Sequence, residues 1–269
     1  KGSPILMHGI DVKEKLQKEL GEDYIIELGM RYQHPDLKSA LEKLKAENVS
    51  KIIVVPMYPQ YASSTTETTI EKVKKITDKW HSAPDIKFIR QFYRHPGFVN
   101  AWAERANAYD MDEYEHVLFS FHGLPERHLK KGHGKGSCDE YNCTEEVNEN
   151  NQYCYRATCY ETARMIAARL NIAKEKYTIC FQSRLGKDPW IQPYSGKVII
   201  GKAKSGIKTM LVFSPAFAAD CLETIYEIGI GHAALFKKNG GEKLQLVEGL
   251  NSHPSWITAL KEIVLDSAQ

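Results

Sequence analysis

Three groups of residues in this chain have the types and spacing to do chemistry: a histidine ending an apolar run, a carboxylate triplet, and four clustered cysteines. Val117 to Phe121 reads as a buried parallel strand, and it runs directly into His122, Gly123, Leu124 and Pro125. In open α/β sheets, ligands bind beyond the carboxyl ends of strands. His122 is thus expected where an imidazole can take a proton or bind a metal near neutral pH. Asp220, Glu223 and Glu227 follow a Pro215-Ala-Phe217 turn at i, i+3 and i+7, which predicts one shared face of an α-helix. Leu222, Ile225 and Ile228 are expected on the opposite side. Spacing alone also fits a solvated acidic face, because exposed charges are the norm.

Cys138, Cys143, Cys154 and Cys159 form the pattern C-x4-C-x10-C-x4-C. The residues between them are polar and show little apolar periodicity, so the segment has no core of its own to offset its chain entropy. Without a secretory signal, such a cluster points to metal ligation rather than disulfides. Four thiolates suit structural zinc or an iron–sulfur cluster, and the x4 spacings are wider than the usual x2 of zinc ribbons. Cys180 lies in an apolar strand and is expected to be buried and inert.

These groups need a scaffold, and the pattern along the chain predicts one. Tyr24–Gly29, Lys51–Pro56, Ile86–Ile89, His116–Phe121, Tyr177–Phe181 and Met210–Phe213 read as strands, mostly short apolar runs of the kind covered on both faces. Between them lie amphipathic stretches: Asp36–Glu47, with Asp36 as N-cap, then Thr65–Trp80 and Pro96–Tyr109. Alternating β and α units imply parallel sheets with right-handed crossovers, an α/β fold. A domain break is expected in the polar segment Asp110–Glu115.

Composition sets outer bounds. The chain has 269 residues, enough for one or two domains, and 36 basic against 34 acidic residues give no global field toward nucleic acid. No apolar run reaches the ~18 residues that span a bilayer, and Lys1-Gly-Ser-Pro4 lacks the apolar region of a signal peptide. A cytoplasmic protein is expected, with no transmembrane segment; a peripheral membrane contact stays compatible.

The strand, the His-Gly-Leu-Pro turn and the trailing Glu126-Arg127-His128 resemble the signature of ferrochelatases, which insert ferrous iron into a porphyrin. Four further segments match that family in order: Gly29–Pro35, Tyr58–Thr65, Phe181–Gly186 with Pro189-Trp190, and Pro215–Thr224. The resemblance runs from about Gly2 to the C-terminus. It implies two similar Rossmann-like lobes with a cleft between them. Residues 1–115 with 253–269 form the first lobe, and residues 116–252 the second, with a cysteine-rich insertion at 132–160. It also implies that several tens of residues carrying a strand and a lip precede Lys1. The final helix, Ser255–Ser267, is expected to pack on the first lobe.

The same resemblance assigns iron binding or proton abstraction to His122 and Glu223, with Asp220 and Glu227 as secondary carboxylates. Imidazole and carboxylate suit ferrous iron, and insertion requires a base for the pyrrole protons. Planar macrocycles need apolar walls and polar handles. Tyr32, Tyr61, Trp190 and Phe217 are expected as walls, Arg31 as a handle for a propionate, and Ser63 as a hydroxyl donor. Animal-type members place one cluster cysteine where this chain has Ser63 and others after the position of Cys221; this chain instead resembles bacterial members with all ligands internal. That implies a [2Fe-2S] cluster on Cys138, Cys143, Cys154 and Cys159, with zinc as the less favoured metal. The substrate expected is protoporphyrin IX or coproporphyrin III. The competing readings are a cobalt or nickel tetrapyrrole chelatase and a non-catalytic haem or iron–sulfur protein.

Overall fold

A computed structural model describes residues 3–133 and 136–268 of the chain. Lys1, Gly2 and Gln269, at the ends of the expected first lobe, and Gly134 and Lys135, inside the expected insertion, lie outside the described residues. The elements run α1 (Pro4–Leu20), α2 (Leu37–Ala46), β1 (Lys51–Val54), α3 (Thr68–Thr77), β2 (Asp85–Phe88) and α4 (Pro96–Ala106). There follow β3 (His116–His122), α5 (Glu126–Leu129), α6 (Tyr155–Arg169), β4 (Tyr177–Gln182), α7 (Ser195–Lys204), β5 (Thr209–Phe213), α8 (Ala233–Lys238), β6 (Lys243–Leu246) and α9 (Pro254–Ala268). The fold is α/β, as expected. β1 pairs with β2, and a second sheet has the order β4-β3-β5-β6, every pairing parallel.

The apolar run of β3 explains its place in the second sheet. Val117, Phe119 and Phe121 join the largest core with Phe181, Leu211 and Phe213. Leu118 points the other way, into a core with Cys180, Met210, Val212, Ile199 and Phe236. The period of two sends alternate side chains to opposite faces, and helices cover both. Trp102 of α4 meets Phe213 edge-on at 6.1 Å, so the largest core extends from β3 and β5 to the helices of the first half. α9 packs on α1, α4 and β1, with Trp256 against Phe92 and Phe98 at 5.5 and 5.7 Å.

Three local expectations change. Tyr24–Gly29 forms no strand ladder among the described residues. The Gln17 side chain of α1 instead satisfies its backbone, donating to Tyr24 O at 2.8 Å and accepting from Ile26 N at 2.9 Å. β6, with the mixed sequence Lys-Leu-Gln-Leu, was not apparent as a strand; it is the edge strand beside β5. Finally, Ser63–Glu67 and Glu223–His232 are π-helical. Such wide turns, bonded i to i+5, are rare and concentrate at functional sites.

Candidate active site and a neighbouring metal-ligand group

His122 ends β3 at the carboxyl edge of the sheet and is half-buried. Its Nδ1 lies 2.6 Å from Gly123 O. A carbonyl only accepts, so Nδ1 carries the proton, and in the neutral ring Nε2 keeps its lone pair for a proton or a metal. The ring stands 6.1 Å from Phe217 and 6.4 Å from Trp190. These two expected walls therefore flank the imidazole. Trp190 is fixed by a bridge to Pro125, with Ile191 N donating to Leu124 O and Glu126 N to Pro189 O. Gly123 allows this close approach: a Cβ there would sit 2.8 Å from Gln182 O and 3.1 Å from the Trp190 ring.

The carboxylates separate into different roles. Glu223 opens the π-helix and is exposed, its carboxylate within hydrogen-bond reach of the Cys221 thiol. Glu227 accepts from Ser183 N at 2.8 Å, Ser183 Oγ at 2.5 Å and Gln182 Nε2 at 3.4 Å. Ser183 takes a left-handed φ of +64° and presents both groups to Glu227. Asp220 precedes the helix, is buried, and is consumed by Gly249 N, Asn251 Nδ2 and Thr224 Oγ1. The expected common face of three carboxylates is thus not formed, because the helix starts after Asp220 and is π-wound. The apolar expectation shifts as well: Ile228 is buried, while Leu222 and Ile225 are exposed.

Gln182 joins the two sides. It pairs with His122 in the β3–β4 register, accepts from Ser120 Oγ at 2.8 Å and donates to Glu223 O at 2.7 Å. In sequence, Gln182 stands out only as part of the family match Phe181–Gly186; the linking role comes from its place opposite His122 on β4.

The remaining expected porphyrin contacts are Arg31, Tyr32, Tyr61 and Ser63, for which no ring contact or hydrogen bond to His122 is found among the described residues. Arg31 stacks over the exposed Tyr32 ring at 4.9 Å, and its buried Nε has no partner among the described residues. It lines a cavity with His34, Lys38, Lys72, Lys75 and Lys79, a basic setting suited to a carboxylate. Tyr61 is buried, edge-on to Tyr153 at 5.4 Å, and its hydroxyl donates to Glu67 at 3.1 Å. Burial and the Glu67 carboxylate push its pKa up to about 12. Little of its ring is left for a ligand. Ser63 begins the first π-helix.

In the cysteine segment, Cys138, Cys143 and Cys154 come together, and the fourth member is His133. All four donor atoms lie within 4.8 Å of one another. Cys159, expected as a ligand, lies outside this group: it is wholly buried on α6 beside Tyr155, and desolvation raises its pKa. Cys180 is likewise buried, its thiol pushed up to about 12 by desolvation. The group of three cysteines and a histidine is compatible with a metal or iron–sulfur site.

Comparison with known proteins agrees with this geometry. The sequence model of the family described as Ferrochelatase matches residues 1–268. A ferrochelatase of Legionella pneumophila (strain Lens) is 42% identical over 264 residues, covering 98% of this chain and 78% of that protein. One of Coxiella burnetii (strain Dugway 5J108-111) is 39% identical over 273 residues, covering 100% and 75%. Among solved structures, SirB from Bacillus subtilis with Fe3+ superposes with a TM-score of 0.63 at 14% identity, covering 99% of this chain and 92% of that one. CbiX, described as the terminal enzyme of siroheme biosynthesis in denitrifying bacteria, gives 0.57 at 14% identity, covering 99% and 95%. At that identity the two structures speak for the chelatase-like fold alone, whereas the family match and the relatives near 40% identity decide the lineage: the chain belongs to the ferrochelatase family.

Proposed function

We propose that the chain inserts ferrous iron into a porphyrin, with His122 and Glu223 as the groups that handle the metal and the pyrrole protons. The observation that carries this reading is His122 itself. In the neutral ring its Nε2 lone pair is available, and the ring lies within 6.4 Å of both Trp190 and Phe217. Insertion replaces two pyrrole N–H protons with one Fe2+, so two protons must leave as the metal enters. An unprotonated imidazole nitrogen accepts one, and an exposed carboxylate such as Glu223 accepts the other or delivers the metal. The aromatic pair supplies apolar walls for the macrocycle, and Arg31 offers a charged handle for a propionate. No helix among the described residues is long and apolar enough to cross a membrane.

The test is turnover with free porphyrin and Fe2+, alongside Co2+ and Ni2+ as competitors. His122→Ala should fold normally and lose at least about 100-fold in turnover, the scale of a positioned acid or base. Turnover within a few-fold of the parent would remove His122 from the chemistry. Preference for Co2+ or Ni2+ over Fe2+ would favour the related tetrapyrrole chelatases.

A further inference from the structure

We propose that His133, Cys138, Cys143 and Cys154 hold one four-coordinate zinc ion, and that Cys159 is not a ligand. Histidine can stand in for cysteine on a [2Fe-2S] iron, so the donor types admit the binuclear cluster that family resemblance implies; it is their spacing that favours a single ion. Tetrahedral zinc, with Zn–S about 2.3 Å and Zn–N about 2.0 Å, keeps its donor atoms roughly 3.5–3.8 Å apart. Here His133 Nε2 lies 3.3 Å from Cys143 Sγ and 3.9 Å from Cys138 Sγ, and Cys138 Sγ lies 3.6 Å from Cys154 Sγ. Since all donors fall within 4.8 Å of one another, they surround a single centre. A [2Fe-2S] cluster divides its ligands between two irons bridged by sulfide, and needs its two ligand pairs held further apart. The fourth cysteine that such a cluster would use is elsewhere, packed in the core with Tyr155, Ala163 and Ile166.

The surroundings are those of a closed structural site. His133, Cys143 and Cys154 are buried and Cys138 is partly so. Three thiolates and a neutral imidazole around a divalent ion leave one net negative charge, and Arg156 supplies a nearby positive one. Asn151 donates to Cys143 Sγ at 3.6 Å while also bonding Tyr141 O and Glu146 O, so it orients a ligand and its loop together. Cys154 is the N-cap of α6, where the helix dipole favours a thiolate. Gly132 brings the His133 arm flat against the Cys154 arm: a Cβ there would meet Tyr153 O at 2.3 Å and Cys154 Cα at 2.8 Å. Such a set of ligands matches the Cys3His class of structural zinc. The ion would bear on the active site through one residue. Tyr155, next to Cys154, donates its hydroxyl to His122 O at 2.9 Å.

The full chain, purified without oxygen from cells supplied with both iron and zinc, should carry about one equivalent of zinc and show no sulfide-to-iron absorption. X-ray absorption at the zinc edge of the unmutated protein should fit three sulfurs and one nitrogen. His133→Ala and Cys154→Ser should lose the ion, whereas Cys159→Ala and Cys180→Ala should keep it. Stripping the ion with a chelator should make 132–160 sensitive to protease, and added zinc should restore resistance. Two irons with labile sulfide, a four-sulfur zinc shell, protein with no bound metal, or zinc retained by His133→Ala and lost by Cys159→Ala would each overturn the proposal. None of these readouts depends on turnover.

Discussion

Two acidic residues three positions apart have opposite surroundings, and mutation should separate them. Asp220 is buried and accepts from Gly249, Asn251 and Thr224, so its carboxylate holds the loop before the π-helix to the segment after β6. Glu223 is exposed at the start of that helix. Asp220→Asn exchanges an acceptor oxygen for a donor facing N–H groups, which should cost about 1–3 kcal/mol of stability. The folded fraction should turn over within a few-fold of the parent. Glu223→Gln should leave stability unchanged and abolish most turnover while porphyrin binding persists. Denaturant midpoints and porphyrin-quenched fluorescence, read beside turnover, check this; a normal midpoint with lost turnover in Asp220→Asn would put that carboxylate in the chemistry. Gln182→Ala tests the link between the two sides. The substitution leaves Ser120 Oγ and Glu223 O without their partner. Turnover should fall more than KM changes, because the amide positions other groups without touching the substrate.

The strand elements were legible in sequence because β3, β4 and β5 are continuous apolar runs, the signature of strands buried on both faces. β6 alternates lysine and glutamine with leucine on a sheet edge, and Tyr24–Gly29 has the composition of a strand but no ladder partner among the described residues. Helical counting failed where the helix is not α: a 3.6-residue period puts Asp220 with Glu223 and buries Leu222, and the π-winding does neither. The signal that marks His133 is its spacing: it stands before Cys138 at the same x4 interval that separates Cys138 from Cys143. The first residue of β3 gives a test at this level. His116 is buried, its Nε2 is 2.9 Å from Thr178 Oγ1 across the β3–β4 pair, and desolvation holds its pKa down to about 4. The folded state therefore favours the neutral ring. The unfolded chain binds a proton near pH 6.5 and the folded chain only near 4, so stability is complete above the unfolded value and falls as pH drops between them. The loss should be on the order of 3 kcal/mol across that window. Urea midpoints from pH 7 to 4 should fall less steeply in His116→Gln, and parallel slopes in the two proteins would show that His116 is protonated in the fold.

At the scale of the whole molecule, the seam between α4 and α9 ties the C-terminus to the first sheet and to the core beneath the active-site strands. α4 reaches the second sheet through Trp102 on Phe213, and α9 reaches β1 and α1. The seam is close because Gly97, in the first turn of α4, faces Ala259 of α9: a Cβ at Gly97 would lie 2.7 Å from Ala259 Cβ and 3.1 Å from Ala259 Cα. Neither atom belongs to a flexible side chain, so the helices themselves must move apart. Gly97→Ala improves intrinsic helix propensity by up to about 1 kcal/mol, yet the overpacking should outweigh it and destabilise the protein by about 1–3 kcal/mol. The sign of the change decides between propensity and packing. Ala259→Gly removes one of the two clashing carbons and costs about 1 kcal/mol in a helix interior, so the double variant should be more stable than the sum of the singles predicts. A favourable coupling of 0.5 kcal/mol or more in a denaturant double-mutant cycle would place the strain at this contact. A neutral or stabilising Gly97→Ala, with additive singles, would mean that α9 is held by Trp256 and its aromatic neighbours, and that the seam yields without cost to the sheets it joins.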